Sequence, residues 1–145
     1  MRFFIILLFL LSPLSAQAAW ETRQNPNSAV TQNRAGNVDI VMSCRRNQPN
    51  RVDVMVGRPA GFPGVTAMML WIGLPDGRLA RHSIDAVQEG AATSGTWFVS
   101  DLVLDRFRNA SSIEVTVAQT GERMIMADAR GTGAARLAFL ERCGF

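Results

Sequence analysis

The chain has 145 residues, a formal net charge of +3, one histidine, two cysteines and no tyrosine, and every one of its basic side chains is arginine. That length fits one domain, long enough to bury roughly two-thirds of its unfolded surface in a core of its own. The charge excess is too small for a dedicated nucleic-acid binder, and one histidine with two cysteines cannot assemble a common zinc site.

The start, "MRFFIILLFLLSPLSAQA", reads as a cleaved signal peptide over residues 1–18. Arg2 supplies the positive end, Phe3 to Leu11 the apolar run, and Ala16-Gln17-Ala18 the small-x-small cleavage pattern. The run is about half the ~20 residues that span a bilayer, and no later run is long enough, so the mature chain is expected to have no stable membrane insertion. Export places the protein in the periplasm or outside the cell, where disulfides form and persist.

Residues 19–36, "AWETRQNPNSAVTQNRAG", are polar and turn-rich and read as an extended N-terminal arm with little regular structure. Trp20 is the exception, because a large aromatic near the mature terminus docks somewhere. Residues 37–145 read as a single β-rich domain. "NVDIVMSC" and "RVDVMVG" alternate with the period of half-buried strands, joined by a turn over "RRNQPN". "VTAMMLWIG" is apolar on both faces and belongs in the middle of a sheet, covered on both sides. "LPDGR" is a strong turn signal, "LARHSID" the returning strand, "AVQEGAATSG" a loop and "TWFV" a short strand. "SDLVLDRFRNA" changes to a helical period, with Ser100 as its cap and Val103, Phe107 and Ala110 on its apolar stripe. "SSIEVTVAQ" and "RMIMADA" close the series of strands. The expected fold class is α+β: a mostly antiparallel sheet or sandwich of about seven strands with two short helices, the second C-terminal.

The closing stretch, "ADARGTGAARLAFLERCGF", passes from a strand through Gly131-Thr132-Gly133 into a helix, an order that imitates a dinucleotide-binding turn. That turn needs a small residue where this chain has Arg136, and a further strand with an acidic residue about twenty positions on. No cofactor is therefore expected. Thr132 reads instead as the N-cap of a helix whose apolar face holds Phe139, Leu140 and Cys143. Cys44 lies on the apolar face of its strand, so both thiols face one core. In an oxidising compartment they are expected to form a disulfide, Cys44–Cys143, closing a loop of about 100 residues.

No catalytic or metal-binding set emerges. His82 has Ser83 beside it, but neighbours on a strand face opposite ways, and no Gly-x-Ser-x-Gly elbow is present. One charge feature stands out. Arg45, Arg46 and Arg51 flank a turn and Arg58 follows the next strand, a candidate patch for anionic groups on a protein or cell-envelope partner. No aromatic residues interleave with these arginines, which argues against single-stranded nucleic acid.

An exported start, a tryptophan near the mature terminus, "DIVMSC", "DLVLDRFRNASSIEVTV" and "RGTGAARLAFLERCG" together resemble small bacterial envelope proteins of the VasI type, associated with type VI secretion. The resemblance implies an accessory, binding role and supplies no catalytic residues. Three functions follow as expectations. The first is a non-catalytic periplasmic accessory protein that binds another envelope component. The second is a secreted inhibitor of a lysozyme or protease, and the third a hydrolase with an unrecognised site.

Overall fold

The structure, a computed structural model, describes residues 19–145; the expected signal peptide lies outside the described residues. Nine strands run β1 (Glu21–Asn25), β2 (Ser28–Ala35), β3 (Val38–Arg45), β4 (Arg51–Gly57), β5 (Ala67–Gly73), β6 (Leu79–Glu89), β7 (Ala92–Phe98), β8 (Ser112–Val117) and β9 (Arg123–Asp128). Helix α1 (Asp101–Arg108) joins β7 to β8, and α2 (Thr132–Cys143) closes the chain. The sheet order is β1-β2-β3-β4-β7-β6-β5-β8-β9 with every pairing antiparallel. The α+β class and the C-terminal helix are as expected; the strand number is nine, not about seven.

The first of two corrections accounts for the difference, and the second lengthens two strands. Residues 19–36 are not an unstructured arm: they supply β1 and β2, a hairpin turning at Pro26-Asn27. The segment 86–95 is not a loop either, because β6 continues to Glu89 and β7 begins at Ala92.

β6 makes the sheet curl. Its first part, Leu79–Asp85, pairs with β5, and its last part, Ala86–Glu89, pairs with β7. One strand thus passes from a half-sheet of β6-β5-β8-β9 into a half-sheet of β1-β2-β3-β4-β7-β6, turning a corner as it does. Gly95 permits the turn. A Cβ there would lie well inside contact distance of the Asp85 carbonyl oxygen and the Ile84 side chain, so only a glycine lets β6 cross so close.

The inward faces of the two halves enclose the core. Ile40, Met42, Val52, Val54 and Val56 come from one half, and Met68, Leu70, Ile72, Ile113 and Val115 from the other. Each such side chain is worth about 1.5–3 kcal/mol on burial. The helices fill the open end. Ser100 caps α1, its hydroxyl accepting from the Val103 N–H at 3.4 Å, and Leu104 with Phe107 forms the buried stripe. Phe107 lies at the centre of an aromatic cluster, edge-on to Trp20 and Trp97 and stacked with Phe139.

Two ties hold the ends of the chain. Cys44 and Cys143 form a disulfide, Cα–Cα 5.9 Å, across a separation of 99 residues, with both side chains buried. At the other end of α2, Trp20 clips the first strand to the last: its backbone N–H donates to the Arg130 carbonyl at 2.8 Å and its Nε1 to the Asp128 carbonyl at 2.7 Å. The N-cap of α2 is Gly131, with φ +93°, not Thr132, whose hydroxyl donates back to the Ala129 carbonyl at 2.9 Å. Gly131 sits there because a side chain would strike Trp20.

Candidate functional site

The four arginines that the sequence places together are distributed over two grooves and the far end of β4. Arg45 and Arg51 line one groove, of about 930 Å³, on the outer face of the β3-β4-β7-β6 region. Arg46 turns toward α2 and donates to the Glu141 carbonyl at 2.9 Å, where a cation suits the helix C-terminus. Arg58 lies at the far end of β4, roughly 20 Å from Arg51 at about 3.3 Å per residue. Its guanidinium covers the Phe62 ring at 4.1 Å and donates to the Gly61 carbonyl at 2.7 Å. The structure therefore brings Arg45 together with Arg51 in this groove and with Arg46 in a second one beside the Pro26-Asn27 turn, and leaves Arg58 apart, tied to Phe62 and Gly61.

His82 points inward on β6 while Ser83 points out, so the two cannot act on one substrate atom. The His82 ring lies against Trp97, with centroids 5.6 Å apart. Burial, with Arg106 of α1 nearby, holds its pKa below the ordinary histidine value. Neither His82 Nε2 nor the buried Trp97 Nε1 has a hydrogen-bond partner among the described residues. Among the same residues, no group of three or more His, Cys, Asp and Glu side chains could hold a metal ion. The carboxylate of Asp105 pairs with Arg136 at 2.7 Å, a helix-to-helix tie.

What the fold leaves outside is more telling. On the outer face of the β6-β5-β8-β9 half-sheet, strand alternation puts Met69 and Trp71 outward because Met68, Leu70 and Ile72 are buried. Trp71 stands between Arg81 on β6 and Glu114 on β8, and Met126 of β9 stands beyond Glu114. The indole is held in place by its Nε1, which donates to Thr116 Oγ1 at 3.0 Å. Arg123 fixes Glu114 at 2.6 Å. Leu79 and Met126 are exposed by 66% and 39% around this ring. The face is an oriented aromatic among exposed apolar side chains, bordered by charge. The apolar run "AMMLWIG" was expected to be covered on both sides; β5 is central, but its outer side chains Met69 and Trp71 are only half-buried, because both helices pack elsewhere.

The outer face of the other half-sheet carries the groove with Arg45 and Arg51. Phe98 and Val87 project there, exposed by 70% and 61%. No described helix is long and apolar enough to cross a membrane, and the closed, buried disulfide is a bond of an oxidising compartment. Comparison with protein family models, with curated proteins and with solved structures gives no match.

Proposed function

We propose that this is an exported, non-catalytic domain of the bacterial envelope, periplasmic or secreted, that binds another envelope component through the outer face around Trp71. The carrying observation is that indole, held by Thr116 and flanked by Met69, Met126 and Leu79. Tryptophan and arginine dominate binding energy at interfaces, and a side chain already fixed in the free protein loses little entropy on docking. Arg81 and Arg123 at the border supply the polar rim. The signal-like start and the resemblance to VasI-type proteins support an accessory role, and the disulfide supports the compartment.

The test is affinity capture with the mature protein from envelope extracts. Trp71→Ala and Leu79→Asp are expected to weaken capture of a stable partner by about tenfold or more, as interface anchors do, with the melting temperature held within a few degrees. Full retention of the partner by both variants would overturn the assignment of this face. Capture of only an added lysozyme or protease would replace the accessory role with that of an inhibitor.

A further inference from the structure

The second groove that Arg45 lines lies where the β1–β2 turn meets the turn after β3. Residues 25–28 form one wall and residues 45–47 the other, around about 680 Å³. No Asp or Glu side chain lines it. The neighbouring groove differs, because there Asp53, Asp85 and Glu89 accompany Arg45 and Arg51. The walls are fixed to one another: the Arg46 N–H donates to the Asn27 carbonyl at 2.9 Å, and the Gln48 N–H to the Arg45 carbonyl at 3.0 Å. Cys44, bonded to Cys143, anchors the backbone just before Arg45 and holds the end of α2 beside β3. That placement lets the Glu141 carbonyl accept one N–H of Arg46 at 2.9 Å, which orients the guanidinium and leaves most of its five donors unspent. Arg45 has no ion-pair or hydrogen-bond partner among the described residues, and neither do the Asn27 and Asn47 carboxamides.

We propose that this groove binds a phosphate monoester presented at the tip of a larger envelope molecule. Charge and donor number select that group. A phosphate monoester carries close to two negative charges near neutral pH and three acceptor oxygens, which matches two guanidiniums and two carboxamides. A carboxylate carries one charge on two oxygens and leaves part of that donor set unused. The planar fork of arginine suits phosphate in particular, since two parallel N–H groups meet two oxygens. Asn27, Arg45, Arg46 and Asn47 are all exposed, so the groove holds a protruding group rather than enclosing a small metabolite. The compartment is the one proposed above. The site uses none of the Trp71 face, and failure of either leaves the other standing.

The test is a titration of the isotope-labelled mature chain with glucose 6-phosphate, followed by amide chemical shifts, at about 10 mM salt, where charges act over about 30 Å. Saturable shifts are expected at Asn27, Arg46 and Asn47. Glucuronate, the same ring with a carboxylate, should bind about tenfold more weakly. Arg45→Ala removes no contact of the fold and should weaken glucose 6-phosphate binding by about tenfold. Arg34→Ala, the same loss of charge at the other end of β2, should leave it unchanged. Cosedimentation with phosphatidylcholine vesicles containing phosphatidic acid identifies the carrier. Retention that Arg45→Ala abolishes puts the phosphate on a lipid; sugar-phosphate binding without retention puts it on a saccharide. Absence of both saturable shifts and retention, glucuronate binding as tight as glucose 6-phosphate, or wild-type affinity in Arg45→Ala would each overturn the proposal.

Discussion

Gly131→Ala tests how the fold is closed. Gly131 adopts φ +93°, where an L side chain costs about 1–2 kcal/mol. A Cβ would lie 2.6 Å from the Trp20 carbonyl oxygen and 3.2 Å from both the Trp20 nitrogen and its Cβ. Backbone atoms give way less easily than the tip of a flexible side chain, so Trp20 must move. Its two hydrogen bonds, to Arg130 and Asp128, are worth about 1 kcal/mol each. The sum is about 3–4 kcal/mol if the indole stays buried. It rises toward 5 kcal/mol if Trp20, 5% exposed in the native fold, is expelled from its contact with Phe107.

Urea denaturation followed by tryptophan emission measures this. The midpoint should fall with an unchanged slope, and the melting temperature should drop by about 10–15 °C, at about 3–5 °C per kcal/mol for a chain of this size. Gly133 is the internal control. It lies two residues on, in the first turn of α2, and the nearest atom to an added Cβ is Arg108 Cγ at 4.0 Å. Gly133→Ala should therefore stabilise by about 0.5–1 kcal/mol, because alanine loses less entropy than glycine in a helix. In a Trp20→Ala background, Gly131→Ala should cost less by only the Nε1 bond, about 1 kcal/mol, because alanine keeps the carbonyl oxygen, nitrogen and Cβ that an added Cβ would strike. If Gly131→Ala were as stable as the wild type, or if both glycine substitutions destabilised alike, the clip would not be what holds the strand ends together.

Other consequences are open to simple measurements. Replacing Cys44 and Cys143 together by alanine should cost up to about 4.7 kcal/mol on the chain-entropy account for a loop near 100 residues, read as a lower urea midpoint, and intact mass of the exported protein should show no free thiol. His82 has a folded pKa below its unfolded value, so the unfolded chain binds the extra proton more readily. Stability should be complete above about pH 6.5, decline as pH falls through that value, and lose this dependence in His82→Phe. Asp128 is held below the usual carboxylate range first by the Arg130 N–H, so its contribution is present above about pH 4 and is lost only in more acid solution, a separate window. Arg58→Ala should destabilise by about 1–2 kcal/mol through the lost Phe62 and Gly61 contacts, seen in melting curves, and leave partner capture unchanged.

The strands with apolar inward faces, β3, β4, β5, β8 and β9, were legible because burial writes a period of two into the sequence. The β1–β2 hairpin was not, for a physical reason. Its inward positions include Thr22, Ala29, Thr31 and Asn33, small or polar side chains that pack beneath α2 and satisfy one another, as Thr22 and Thr31 do at 3.1 Å. Hydrophobic periodicity is silent on such a strand, although Asn25-Pro26-Asn27-Ser28 marks the turn openly. β6 and β7 were cut short for a related reason: where they meet, Gly95 and Thr93 face inward, and neither reads as core. Helix α1 kept its cap and Phe107, yet Leu104 is buried as fully as Phe107, with Val103 only half-buried. The arginine cluster was legible only in part, because spacing along a chain is not spacing across a sheet. Arg45 and Arg46 stay side by side at the end of β3, whereas Arg51 and Arg58 stand at opposite ends of β4.

The same alternation explains why the outer faces are available to partners. A single sheet curled on itself buries one face only, and both helices are spent closing its open end. Trp20 and the Cys44–Cys143 bond fasten α2 at its two ends, one through Gly131 and one through its last residue. With α2 fixed inward, no described element remains to cover Trp71 or Phe98. If the clip were broken by Trp20→Ala while the disulfide stayed intact, α2 should loosen first at its N-terminal turn. Amide exchange of Ala135, whose N–H donates to the Gly131 carbonyl at 3.1 Å, should then rise while that of Leu140 and Arg142, beside the disulfide, stays slow. Uniform exchange along the helix would show instead that α2 is held by its buried Ala135, Ala138 and Phe139 alone, and that the two ties are incidental to it.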